Sequence, residues 1–256
     1  MRIDLQANVL RLSHALGAPA RDWAVVAEGN ISARASSDTM LVKASGASMA
    51  TARGADYVEV RLQPIIDLLD QADADDWSVT EALMGSRVDS SAKRPSVESV
   101  MHAVCLTATP ATFVGHTHPT AVNSLLCSDR ASELVGNAVF PDQIVTLGRH
   151  QLLIPYTDPG LDLGRLVRRE LLEFQRDHDE SPKVIYLESH GMFALGESAE
   201  DVLRITEMAT KTARILLGAL SVGSVARLTS LQSARIDTRP DEELRRRALS
   251  SDGDQW

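Results

Sequence analysis

Two histidines one residue apart, His116 and His118, lie in the segment VGHTHPTA of this 256-residue chain. The run ATFVGH predicts a buried strand, and Pro119 ends it. Side chains two residues apart in a strand point to the same face, so both imidazoles can approach one ion. Imidazole nitrogen is a common ligand of Zn²⁺ and similar divalent metals. The alternative is that the two rings are structural and bind no ion.

A catalytic metal site at this pair needs a third ligand. His190, in ESHGMFALG, is the best candidate because it lies at the end of a predicted strand, beside a glycine that permits a sharp turn. His102 on a helix, His150 before an apolar strand and His178 at an acidic helix end are weaker candidates. Three neutral ligands leave the ion positively charged with one open position, as in catalytic zinc sites.

Such a site also needs a carboxylate that can move a proton. Glu98, in RPSVES, begins a predicted helix that leads into the histidine strand. If the carboxyl group faces the site, burial is expected to raise its pKa toward the working pH. The alternative is that Glu98 only interacts with the dipole at the N-terminus of its helix.

Composition excludes several classes of protein. The net charge is −9, and the Lys/Arg run at residues 245–247 is the only basic cluster, so we expect no nucleic-acid partner. We expect no membrane association and a cytoplasmic location, because no signal peptide and no apolar stretch of about 18 residues is present. Cys105 and Cys127 lack metal-site spacing and are expected to be buried free thiols.

Helical and strand-like patterns alternate along the chain, which indicates an α/β protein. No GxGxxG follows a strand, which argues against a nucleotide-binding doubly wound sheet. The segments QIVTLG and HQLLIPY are predicted to be paired strands. Residues 1–225 are expected to form one domain, and residues 226–256 a polar C-terminal tail.

Six motifs occur in order between residues 29 and 196: GNISAR, KASG, PSVES, GHTHP, PYTDPG and SHGMFALG. Together they resemble the class II aldolase/adducin family. The resemblance implies a three-layer αβα domain with a central mixed, largely antiparallel sheet. It also implies a homotetramer.

The resemblance assigns roles to individual residues. It implies the zinc ligands His116, His118 and His190, the acid/base Glu98, a tyrosine (Tyr156) that reaches the neighbouring subunit's site, and a phosphate site formed by Gly29, Asn30, Ser45, Gly46 and Ser96. Family aldolases often carry a second serine before the catalytic glutamate, and Val97 stands there instead. Lys43 supplies charge to a phosphate or carboxylate site, or is simply the end of a strand.

The expected function is that of a metal-dependent class II aldolase. Such a lyase uses Zn²⁺, or another divalent ion such as Mn²⁺ or Co²⁺, to stabilise an enediolate as a small ketose phosphate or related sugar derivative is cleaved. The alternatives on the same fold are a sugar-phosphate decarboxylase, epimerase or dehydratase. A non-catalytic scaffold like adducin is a further alternative.

Overall fold

A computed structural model describes residues 2–242 and 244–245 of the chain. Within these residues, one sheet contains β1 (Asn30–Arg34), β2 (Thr39–Lys43), β3 (Tyr57–Arg61), β4 (Phe113–Thr117), β5 (Leu152–Ile154), β6 (Val184–Leu187) and β7 (Gly191–Gly196). The helices are α1 (Arg2–Leu16), α2 (Gln63–Leu68), α3 (Asp76–Ser86), α4 (Ser99–Ala108), α5 (Thr120–Leu126), α6 (Pro141–Leu147), α7 (Leu161–His178), α8 (Ala199–Val222) and α9 (Ser230–Asp237).

The strands lie in the order β3-β2-β1-β4-β7-β6-β5. Neighbouring strands run antiparallel, except that β5 and β6 are parallel. The predicted mixed, largely antiparallel sheet is therefore confirmed. Its central strand β4 places His116 between Asn30 on β1 and Phe193 on β7. This register brings together residues that are far apart in the chain.

Apolar side chains cover both faces of the sheet. On one face, α2, α3, α4 and α7 pack against a cluster that includes Val114 and Phe193. On the other face, α1, α5 and α8 pack against a cluster that includes Ile31 and Tyr186. Strands β4, β6 and β7 are buried along their whole length, which explains their nearly continuous apolar sequences. The three-layer αβα arrangement is confirmed.

The segment QIVTLG is helical, so its prediction as a strand is wrong. Pro141 opens α6 at a position where its fixed φ suits the first turn, and Gly148 ends the helix with a φ of 80°. A short apolar run does not show whether its period is that of a helix or of a strand. Here Pro141 and Gly148 at its two ends favour the helix. Of the HQLLIPY segment, only Leu152–Ile154 forms a strand, and it pairs with β6.

The predicted tail at residues 226–256 contains α9, and residues 240–242 and 244–245 are also helical. The Thr229 hydroxyl caps α9 by accepting a hydrogen bond from the Gln232 N–H at 3.2 Å. Helix α9 packs against α6, and the Arg227 guanidinium donates to the Glu133 carbonyl at 2.8 Å. Part of the predicted tail, residues 243 and 246–256, lies outside the described residues.

The two cysteines differ in their burial. Cys105 is buried as expected, whereas Cys127 is exposed, because it lies just past the end of α5. The prediction of two buried thiols is therefore wrong for Cys127.

Along residues 2–242 and 244–245, every helix is too short or too polar to cross a membrane.

Candidate metal centre

The histidine pair lies at the carboxyl end of the central strand. His116 is fully buried in β4. His118 follows the strand, and its backbone N–H donates to the Trp23 carbonyl at 2.8 Å. The two Nε2 atoms are 2.9 Å apart. The pair therefore projects to one side, as the alternation of a strand predicts.

His190 reaches the same point from the turn between β6 and β7. Ser189 has a φ of 53°, and the His190 N–H donates to the Leu187 carbonyl at 3.2 Å, so the chain reverses sharply here. The Asn123 side chain donates to the His190 carbonyl at 3.0 Å and holds the turn against α5. The structure thus brings together three histidines from two regions of the chain.

Glu98 completes the cluster from the residue before α4. Its Oε1 is 3.1 Å from Nε2 of His116 and 3.3 Å from Nε2 of His190. One candidate ligand atom from each of Glu98, His116, His118 and His190 lies within 4.8 Å of the others. The four residues therefore form a group that could hold a metal ion.

The ionisation of Glu98 differs from the expectation. Burial acts to raise its pKa, but the charge of His116 and hydrogen bonds from His116 and His190 outweigh burial and hold the pKa well below the ordinary value. The predicted rise is wrong, because it considered only desolvation. Glu98 therefore presents a carboxylate, which can accept a proton or bind a cation.

His118 presents a neutral imidazole. Burial lowers its pKa to about 3, and the nearby charge of His116 acts in the same direction. A neutral imidazole is the form that binds metals. His118 is thus held in the protonation state of a ligand near neutral pH.

Residues outside the cluster contact the rings of His116 and His118. The His116 Nδ1–H donates to the Met192 carbonyl at 3.0 Å, and its ring stacks on Phe193 with centroids 4.3 Å apart. Glu28 Oε2 lies 3.8 Å from Nδ1 of His118. Sequence reasoning missed Glu28, although it stands immediately before the Gly29-Asn30 pair. A hydrogen bond such as that from His116 to the Met192 carbonyl keeps a proton on the outer nitrogen of a metal-binding histidine.

The donor set fits a divalent cation. Because Nδ1 of His116 is bound to a carbonyl, Nε2 is the ring nitrogen that faces the cluster, 2.9 Å from Nε2 of His118. Two nitrogen lone pairs at this separation repel unless a proton or a cation lies between them. Three imidazoles and one carboxylate form the nitrogen and oxygen set typical of Zn²⁺.

The Gly29-Asn30 segment lies directly beside the cluster. Gly29 has a φ of 69°, and a Cβ there would be 2.7 Å from the His116 carbonyl, so only glycine fits. Asn30 is buried opposite His116, and its Oδ1 accepts from the Ile31 N–H at 2.8 Å. Its Nδ2 has no hydrogen-bond partner within the described parts of the chain. An unpartnered buried donor at this position suits an acceptor on a bound ligand.

The Ser45-Gly46 and Ser96 segments are neighbours. The Ser45 N–H donates to the Arg94 carbonyl at 2.9 Å, and the Ser96 N–H donates to the Lys43 carbonyl at 3.4 Å. Ser45 and Gly46 are exposed, and the Ser96 hydroxyl accepts from the Glu98 N–H at 3.4 Å. These contacts link the two segments to the residue that carries the carboxylate of the cluster.

A sequence profile described as Class II Aldolase and Adducin N-terminal domain matches residues 8–217. The chain belongs to the class II aldolase and adducin family. The resemblance that the ordered motifs indicated is therefore confirmed.

The chain is similar to two curated proteins, and the aligned share of each protein's length differs. Methylthioribulose-1-phosphate dehydratase from Acidiphilium cryptum (strain JF-5) is 27% identical over 206 residues, which cover 77% of this chain and 84% of that protein. Uncharacterized oxidoreductase YuxG from Bacillus subtilis (strain 168) is 26% identical over 163 residues, or 64% of this chain. The match to YuxG spans only 21% of that protein's length.

Solved structures of the family share the fold. An L-fuculose 1-phosphate aldolase superposes with a TM-score of 0.69 at 17% sequence identity, over 91% of this chain and 94% of that one. At this identity, the likeness supports the architecture of the sheet and its helices and leaves the reaction open.

Tyr156 is exposed in this class II aldolase family chain. Its side chain is 58% exposed, and its hydroxyl donates to Asp158 Oδ1 at 3.1 Å. That hydrogen bond, together with the negative charge of Asp158, raises the Tyr156 pKa. In the part of the chain that the structure describes, no hydrogen bond joins Tyr156 to the four cluster residues.

The other candidate histidines lie outside the cluster. His102 is buried on α4, with Nδ1 2.7 Å from the Ser32 hydroxyl, and burial lowers its pKa to about 3. His150 and His178 stack with ring centroids 4.1 Å apart, and His150 contacts Glu180. This arrangement agrees with the prediction that His102, His150 and His178 are weaker candidates for metal ligands than His190.

Proposed function

We propose that the protein is a metal-dependent aldolase, a lyase that cleaves a carbon–carbon bond in a small ketose phosphate or a related hydroxy-carbonyl sugar derivative. The observation that carries the proposal is the convergence of Glu98, His116, His118 and His190 within 4.8 Å. Membership of the class II aldolase and adducin family supports it. The unpartnered Asn30 amide beside the cluster supports a polar ligand at this place.

In this proposal His116, His118 and His190 would hold Zn²⁺, or Mn²⁺ or Co²⁺ in its place. A bound divalent ion supplies positive charge that polarises a carbonyl group and stabilises negative charge on substrate oxygens. The Met192 carbonyl and the Phe193 ring keep His116 oriented. Burial keeps His118 neutral.

Glu98 is proposed to accept the proton, because its carboxyl group is ionised. Loss of a proton from the substrate hydroxyl turns that C–O bond into a carbonyl as the adjacent C–C bond breaks. The electron pair of the broken bond passes to the second fragment, which then takes up a proton at carbon. A positioned carboxylate of this kind contributes about 10²- to 10⁴-fold to the rate.

The anionic end of the substrate is proposed to bind between the three loop segments. Gly29 and Gly46 supply backbone N–H groups, while Asn30, Ser45 and Ser96 supply side-chain donors. The positive φ values of Gly29 (69°) and Gly46 (76°) support this role, because turns of this kind can direct backbone N–H groups toward an anion.

Tyr156 is proposed to act in the site of a neighbouring subunit of a homotetramer. Its exposed side chain, which makes no hydrogen bond to its own cluster within the described residues, fits this role. Mixed oligomers of Glu98→Gln and Tyr156→Phe chains test it. If Tyr156 acts across subunits, mixing two inactive variants restores sites that hold both groups. No restored turnover in confirmed mixed oligomers would contradict the proposal.

A dehydratase is the second candidate. It is favoured by the relative named methylthioribulose-1-phosphate dehydratase, which aligns over 84% of its own length. The same residues would serve, because removal of a proton beside a polarised carbonyl also begins the loss of water. The products separate the two reactions. An aldolase gives two carbonyl fragments, and a dehydratase gives one product lighter by a molecule of water.

The first experiment measures metal and product together. Protein purified without chelator is analysed for metal and then incubated with ketose 1-phosphates in Zn²⁺, Mn²⁺ or Co²⁺. About one ion per chain and carbonyl fragments are expected for the wild type and for His150→Ala, whose exposed side chain lies outside the cluster. The His116→Ala/His118→Ala variant should lose both. Wild-type protein that binds no metal after reloading would overturn the proposal and favour a scaffold.

A further inference from the structure

Lys43 is a buried cation at the end of β2. The residue is 2% exposed and is among the largest fully buried side chains of the protein. Its Nζ donates to the Ala47 carbonyl at 2.7 Å and to the Ala27 carbonyl at 3.4 Å. Burying an ammonium group is costly unless fixed acceptors compensate for the lost water. The two carbonyls are those acceptors.

The two carbonyls belong to different functional segments. Ala27 lies two residues before Gly29, and Ala47 directly follows Gly46. The backbone carbonyl of Lys43 also accepts from the Ser96 N–H at 3.4 Å. One residue therefore contacts all three segments proposed to bind the anionic group of the substrate.

Charge near Lys43 relates it to the carboxylate of the metal centre. Burial lowers the Lys43 pKa, while the negative charges of Glu98 and Asp56 act to raise it. Asp56 is already paired with Lys93 at 2.6 Å. The negative charge of Glu98 therefore favours the protonated form of the buried Lys43 side chain.

We propose that Lys43 is a positioning residue that fastens the Ala27 and Ala47 carbonyls together, and so holds the segments at 27–30 and 44–47 in the arrangement that binds substrate. This role differs from the expectation that Lys43 binds the substrate anion itself. The positioning role is favoured over direct binding of the anion because the side chain is buried and its Nζ already donates to two carbonyls. The inference rests on the proposed function for the identity of the substrate loops.

Hydrogen exchange in the absence of substrate tests the role directly. The Glu28 N–H donates to the Val25 carbonyl and the Ala47 N–H to the Ala44 carbonyl, so each segment has an amide to report on it. In Lys43→Met, both amides should exchange about tenfold faster or more, because hydrogen bonds from a charged group are lost. Lys43→Gln keeps an N–H donor without charge and should lie between the two.

The same substitution at an exposed lysine, Lys211→Met on α8, is the control and should leave both amides unchanged. The metal content of Lys43→Met should stay at the wild-type value, because Lys43 makes no hydrogen bond to the cluster in the described residues. With a working substrate, KM should rise more than kcat falls, and Lys43→Gln should recover part of the loss.

Each outcome decides the question. Unchanged exchange with lost affinity for phosphate would mean that Lys43 is a direct ligand, and the positioning role would fail. Faster exchange in both loops supports the role even if no ketose phosphate is cleaved, so failure of the proposed function is recognised separately. If Lys43→Met does not fold, the exchange of Lys43→Gln decides in its place, and wild-type protection in that variant would refute a role that depends on charge.

Discussion

Replacing Gly191 with alanine would add a methyl group against two histidines of the metal centre. The new Cβ would lie 2.5 Å from Cδ2 of His118, 2.7 Å from the Thr117 carbonyl oxygen and 3.3 Å from Cε1 of His116. The φ of Gly191 lies outside the positive region, so backbone strain contributes nothing. The effect of the substitution is therefore purely one of contact.

The size of the effect follows from these distances. Carbon atoms in contact normally lie about 3.5–4.0 Å apart, so the His118 ring must move by roughly 1 Å. The Thr117 carbonyl belongs to the central strand and cannot give way easily. Metal sites tolerate deviations of about 0.2 Å, so the ring would leave the position of a ligand. We expect metal affinity to fall at least about 10- to 100-fold, with a loss of folding stability of about 1–3 kcal/mol.

The assay is a zinc titration against a competing chelator, with thermal unfolding measured with and without zinc. Zinc should raise the Tm of the wild type and raise that of Gly191→Ala much less, because stabilisation by a ligand follows its affinity. Gly218→Ala is the matched control, since a Cβ at that position on α8 meets nothing within 4 Å. It should keep zinc affinity and gain up to about 1 kcal/mol of stability from helix propensity.

Zinc affinity of Gly191→Ala equal to that of the wild type would refute this reasoning. It would mean that His118 can move without loss, or that His118 is not a ligand. A fall in stability without a fall in zinc affinity would mean that the methyl group disturbs the packing of the core but does not displace a metal ligand.

Three further predictions concern the carboxylate, a buried histidine and the core. Glu98→Gln should lower kcat by about 10²-fold or more with the fold retained, and a kcat equal to that of the wild type would remove Glu98 from the chemistry. His102 has a pKa of about 3 when folded, lowered from 6.5, so only the unfolded chain gains its proton as pH falls from 7 to 5. Stability should fall by about 2 kcal/mol over this range from His102 alone, and urea unfolding of His102→Gln should show a correspondingly smaller drop. Leu171→Ala, fully buried on α7, should cost about 2–5 kcal/mol, whereas its exposed neighbour Leu172→Ala should cost about 0.5 kcal/mol or less. Equal costs for the two leucines would contradict the packing of α7 described above.

Local patterns predicted much of the architecture correctly. The spacing of His116 and His118 required one face of a strand, and the apolar period of α7 and α8 required helices with one buried side. The strand prediction for QIVTLG was wrong because six residues are too few to separate the helical from the extended period. Its helix depends on Pro141 and Gly148 at its ends.

The sequence by itself determined which side chains capable of metal binding or proton transfer are present. It also determined the order of the six motifs and hence the family. Only the tertiary structure decided how those residues act on one another. The antiparallel register of β1, β4 and β7 places Asn30 and Phe193 on either side of His116. The ionised state of Glu98 and the engagement of Lys43 by two carbonyls depend on neighbours distant in the chain. Electrostatics and burial act through space, and a pattern read along the chain records only neighbours in sequence.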